Sequence, residues 1–226
     1  MVIAKNQKSI TIKYSLLCGI IAGPIFLLLV IVEGHIRDDY NALRYPLSSL
    51  SFGEHAWMQI ANFILTGMLL VFFSRGWQGL NNTKKKKSKI SILICLAGVG
   101  LIGAGVFVTY PLFGYPENKP LLILQYTWHG NLHDAFSMLV FICLPWACFV
   151  FAGLCKEKDQ KSCQLYSLFT GITMIVTFII ASMGFRQVEI LKNVGGLFQR
   201  ICIAAGLLWI TSLAAQSISK KDTLLT

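Results

Sequence analysis

The sequence predicts an all-α fold: a polytopic membrane protein built as a six-transmembrane-helix bundle, with its N-terminus and C-terminus both cytoplasmic. Three observations carry this expectation. Of 226 residues, 55% are hydrophobic and 13% charged, whereas an ordinary soluble domain carries about 25% charged residues. The apolar residues fall into six runs, each near the roughly 20 residues a helix needs to cross a hydrocarbon core about 30 Å thick. The Lys and Arg residues sit in short clusters between those runs, as loops on one side of a membrane require.

Taken in order, the runs are approximately 15–33, 56–76, 90–112, 129–153, 165–185 and 197–217. Lys5, Lys8 and Lys13 precede the first in the manner of a secretory signal. Its length and its exit through Glu33 and His35, without a small-residue cleavage pattern, identify a retained helix instead. Ser51 and Glu54 form a capping-box pattern before the second run, and Pro111 closes the third. Gly19 and Gly23 in the first run, and Gly98, Gly100, Gly103 and Gly105 in the third, are small-residue stripes of the kind that let helices approach closely. No loop is long enough for a soluble domain, so residues 1–226 form a single transmembrane domain.

Orientation follows from the basic residues. With the N-terminus inside, the cytoplasmic segments hold Lys5, Lys8, Lys13, Arg75, Lys84 to Lys87, Lys89, Lys156, Lys158, Lys161, Lys220 and Lys221, fourteen of the twenty Lys and Arg residues. The opposite side is near neutral. The protein is therefore expected to be multi-pass in a cell membrane, plasma or inner. The formal charge of +10 does not mark a nucleic-acid partner, because the basic residues form loop clusters and not a basic fold with interleaved aromatics. Five of the seven cysteines fall inside apolar runs, and Cys155 and Cys163 flank a Lys-rich loop, so no disulfide framework is implied.

Polar residues inside spans are costly in lipid, and their positions are the informative part of such a sequence. They collect in the outer halves: Gln59, Asn62, Thr109, Tyr110, His129, His133, Asp134, Ser182, Arg186, Gln199 and Arg200. The inner halves hold no ionisable residue beyond interfacial Lys and Arg. If the helices face one another, a polar pocket opens outward. Its candidate lining is His129, His133, Asp134, Arg186, Arg200, Gln199 and Asn62, with Ser48 and Ser51 from the first outer loop. His129 and His133 lie four apart, so their rings share one helix face and the spacing permits a shared metal such as zinc. Two histidines do not close a zinc site, and hydrogen bonding at the headgroup level is the favoured reading. Asp134 is either interfacial or held by Arg186 or Arg200, while Arg200 alternatively snorkels outward. The loop serines suit capping or turns, since no Gly-x-Ser-x-Gly elbow surrounds them.

Four segments together carry a resemblance: Gly23-Pro24, Tyr45-Pro46-Leu47-Ser48-Ser49-Leu50-Ser51 before Trp57, Trp128-His129-Gly130-Asn131-Leu132-His133-Asp134, and Phe198-Gln199-Arg200. In these the chain resembles the prokaryotic membrane family catalogued as domain of unknown function 998, over almost its whole length. The resemblance implies a six-helix bundle with the serine-containing loop and the His-rich helix start as hallmarks, and no established reaction. A looser similarity in layout links the chain to DRAM, Frag and Sfk type six-helix membrane proteins.

Two functions compete. One is non-enzymatic: binding of a lipid headgroup or small polar ligand in the outward pocket, with membrane lipids as partners. The alternative is an intramembrane hydrolase acting on a lipid-like substrate through a metal or a serine. A transporter is disfavoured, because broken helices and midplane charges are missing. Substrate and oligomeric state are not legible in the residues.

Overall fold

The computed structural model describes residues 2–80, 85–112, 115–116 and 127–223. They form six long helices, α1 (Val2–His35), α2 (Ala56–Gly79), α3 (Lys85–Val106), α4 (Trp128–Glu157), α5 (Lys161–Phe185) and α6 (Gly195–Thr223), with a short 3-10 helix at Leu47–Ser51. Each long helix contains a stretch long and apolar enough to cross a membrane, from Ile10–His35 in α1 to Gly195–Ser219 in α6. The protein is a multi-pass membrane protein.

Each helix packs on its neighbour in chain order, and α6 returns against α1, so the six close into a ring. Leu16, Phe26, Leu70, Phe73, Ile94, Trp209 and Ile210 fill the interior. Apolar side chains also cover the outside: Leu28 is 61% and Phe169 72% exposed. A helix hydrophobic all round belongs in lipid, where both faces have apolar neighbours.

Close approach of backbones sets the ring. A Cβ on Gly67 of α2 would lie 2.5 Å from the Gly98 carbonyl oxygen of α3. Another on Gly23 would meet the Leu207 carbonyl oxygen and Thr211 Oγ1 of α6, each at 2.9 Å. Pro24 lacks the N–H that would satisfy the Ile20 carbonyl four residues back. Thr211 donates to that oxygen instead, at 3.3 Å. Polar clamps tie other seams: Ser91 Oγ donates to the Ser74 carbonyl (2.6 Å) and Trp209 Nε1 to Ser167 Oγ (3.0 Å).

Three local expectations are corrected. The third helix ends at Val106, not near residue 112. Pro111 pushes the preceding residue out of helical geometry, and His133 occupies the carbonyls that further turns would have used. Ser51 does not cap α2, which begins at Ala56 after His55 with no side-chain cap. It lies in the 3-10 helix, buried. Cys155 and Cys163, for which the sequence implies no disulfide, are disulfide-bonded with Cα atoms 5.9 Å apart, joining the end of α4 to the start of α5.

Candidate functional site

The segment between α1 and α2 folds onto the end of the bundle opposite the chain termini. Gly196 lets it dock, since a Cβ there would collide with the carbonyl oxygens of Tyr45 and Ala42, and Leu197 N–H donates to the Leu43 carbonyl (2.9 Å). Gln199 Oε1 accepts the Leu47 N–H at 2.8 Å, pinning the start of the 3-10 helix to α6. Leu47 to Ser51 are all buried.

Under this cap lies a cavity of about 910 Å³ to which all six helices contribute. Its inner walls are apolar: Phe26, Phe63, Leu101, Val140 and Ile203, closed below by Phe141 and Phe178, whose rings stack with centroids 4.4 Å apart. Polar groups occupy the opposite end. Of the nine residues expected to form a pocket, Ser48, His133, Asp134, Arg186 and Gln199 line this cavity.

His133 is buried, and its Nδ1 lies 2.9 Å from the Ala104 carbonyl oxygen and 2.8 Å from that of Phe107. Carbonyls only accept, so Nδ1 carries the proton and, in the neutral ring, Nε2 is left as an acceptor. The histidine satisfies carbonyls that the end of α3 leaves without helical partners. Asp134 is exposed, and Tyr110 OH donates to its Oδ2 at 3.0 Å. It pairs with neither Arg186 nor Arg200. The Arg186 guanidinium is exposed and bonds to no side chain or carbonyl among the described residues.

The other four expected residues do not line the cavity. Arg200 does not pair with Asp134: it donates to the Tyr45 and Gly196 carbonyls, both at 3.1 Å, and to Tyr40 OH. Asn62 is buried, giving hydrogen bonds to the Phe26 carbonyl and Gln59 Oε1. Ser51 Oγ is buried without a partner among the described residues. His129 stands exposed beside the Trp128 ring. His133 is turned to α3, and among the described residues no three His, Cys, Asp or Glu side chains form a metal-holding group.

Sequence reasoning missed the buried framework beside the site. Arg37 donates to the carbonyls of Leu50 (2.7 Å) and Phe52 and to Tyr115 OH (3.2 Å), with the wholly buried Glu33 carboxylate 4.0 Å away. The four-residue spacing of Glu33 and Arg37 was the available signal. Burial pushes the Tyr40 hydroxyl above its ordinary pKa, partly offset by Arg200. Burial does the same to Tyr115, partly offset by Arg37.

No curated protein and no solved structure matches the chain. A family model described as a protein of unknown function, DUF998, matches residues 20–216. Running from Ile20 in α1 to Gln216 in α6, and so across the whole cavity with its cap, that match establishes that the chain belongs to the DUF998 family.

Proposed function

We propose that the protein binds a lipid headgroup or small polar ligand in this cavity, at the side the charge distribution marks as outward. Arg186 carries the reading: a cation without a partner among the described residues, at the rim of an apolar-walled chamber. The volume of about 910 Å³ lies within the range of small-molecule sites, about 300–1,000 Å³. Gln199, Asp134 and Tyr110 supply further hydrogen-bonding groups beside it. A charged hydrogen bond contributes about 1.5–3 kcal/mol. Arg186→Ala should therefore weaken binding of an anionic lipid about ten- to a hundredfold, read as loss of lipid-dependent thermal stabilisation in detergent. Unchanged stabilisation would remove the reading.

A second reading, hydrolysis of a lipid-like ester, is favoured by one observation: Ser48 and His133 line the same cavity. Ser48 Oγ would add to the ester carbonyl and pass its proton to His133 Nε2, which returns it to the departing alcohol; water then releases the acid by the reverse path. A fluorophosphonate should label Ser48 and leave Ser48→Ala untouched. Absence of labelling in the unmutated protein counts against it. The metal-dependent form has less support, because His129 and His133 point to separate surroundings.

A further inference from the structure

The cavity walls are not equivalent. The apolar lining side chains of α1, α2, α3 and α6 are sealed from the exterior, with Phe26 1% exposed, Phe63 6%, Leu101 4% and Ile203 5%, while Gln199 at the outer end of α6 is half-buried. On α4 and α5 the lining includes Met138, Ile179 and Met183, which are 39%, 52% and 41% exposed. Among the described residues, the exposed apolar part of the lining therefore lies on these two helices. Phe141 and Phe178 shut the seam between them below. Arg186 and Asp134 stand at its upper end, both exposed.

Depth and volume narrow the occupant. From Arg186 to Phe178 is eight residues of helix, roughly 12 Å at 1.5 Å per residue, close to one leaflet of a core about 30 Å thick. The volume of about 910 Å³ lies at the upper end of the roughly 300–1,000 Å³ of sites that bury one drug-sized ligand. One acyl chain with a compact headgroup is of that size, whereas a two-chain phospholipid is larger than the ligands such sites enclose. The guanidinium, without a partner among the described residues, selects an anionic oxygen group, and the Asp134 carboxylate in the same lining accepts a hydrogen bond from a hydroxyl.

We propose that the ligand is a single-chain anionic amphiphile, which enters sideways from the bilayer between α4 and α5 and leaves its headgroup at Arg186. This rests on the ligand-binding reading above. The test uses the full-length protein in phosphatidylcholine vesicles with lysophosphatidate carrying a photoreactive group on its chain, followed by peptide mapping. Labelling is expected on the inner wall, at Phe63 and Leu101. Unlabelled lysophosphatidate should compete, monoacylglycerol and glycerol phosphate should not, and Arg186→Ala should cut labelling at least tenfold. Ile179→Trp and Met138→Trp, each at an exposed lipid-facing position, should slow labelling several-fold, whereas Leu28→Trp on the outer face of α1 should not. If glycerol phosphate competes equally, the site takes soluble anions, and the amphiphile is overturned while the binding site survives. If both seam variants fold, judged by unchanged thermal midpoints, and label at the normal rate, the sideways route is overturned. If no probe labels the inner wall saturably, the proposal and the binding reading fall together.

Discussion

Arg37 and Arg186 are both outer-side arginines in the sequence, yet they have opposite surroundings. Arg37 is 9% exposed and spends its donors on the Leu50 and Phe52 carbonyls and Tyr115 OH, beside the Glu33 carboxylate. Removing Arg37 would take its donors from the Leu50 and Phe52 carbonyls, and a buried group left without its partner costs about 1–3 kcal/mol. Arg37→Ala should lower the thermal midpoint far more than Arg186→Ala in ligand-free protein, and a reversed order would contradict this division of roles. Alkali provides a second check. Tyr40 and Tyr115 have hydroxyl pKa values raised by burial, so the folded state holds those protons more tightly than the unfolded chain. Their contribution is complete below the ordinary tyrosine value, about 10, and is lost as pH climbs through the folded values. Stability should be insensitive to these groups at neutral pH and fall above about pH 10, with tyrosinate absorbance lagging that of free tyrosine.

Between helices, glycines separate contact from empty space. At Gly67 the facing atom is the Gly98 carbonyl oxygen, backbone that has no rotamer to change. Overpacking of this kind costs about 1–3 kcal/mol, so Gly67→Ala should reduce the thermal midpoint. A methyl group placed on Gly153 in α4 would meet nothing within 4 Å. There, Gly153→Ala should be neutral or stabilising by up to about 1 kcal/mol from helix propensity. Equal effects at the two sites would mean that the α2–α3 crossing is looser than this backbone contact implies. The small-residue stripes were legible because spacing along a helix is one-dimensional information. Which neighbour each glycine meets was not: Gly98 faces α2, whereas Gly100, two residues on, faces Phe136 of α4.

For the whole molecule, six crossings return the chain to the side on which it started. The fourteen Lys and Arg residues on the loops and tails of that side predict that it is cytoplasmic. Tags at either terminus of the intact protein should react with impermeant reagents only after the membrane is opened. Reaction of one tag in sealed cells would reverse or break the assigned topology. The sequence by itself determined the number of spans and the end of the bundle where polar residues gather, because apolar length and charge can be counted along a chain. Only the tertiary structure decided how those polar residues divide: Ser48, His133, Asp134, Arg186 and Gln199 around a cavity, Asn62, Ser51 and Arg200 in the framework, and His129 outside both. The physical reason is rotational. In lipid the buried and exposed faces of a helix are both apolar, so no amphipathic stripe records which way it turns. The direction of a side chain such as Arg200 is set by the carbonyls that a distant loop brings to it.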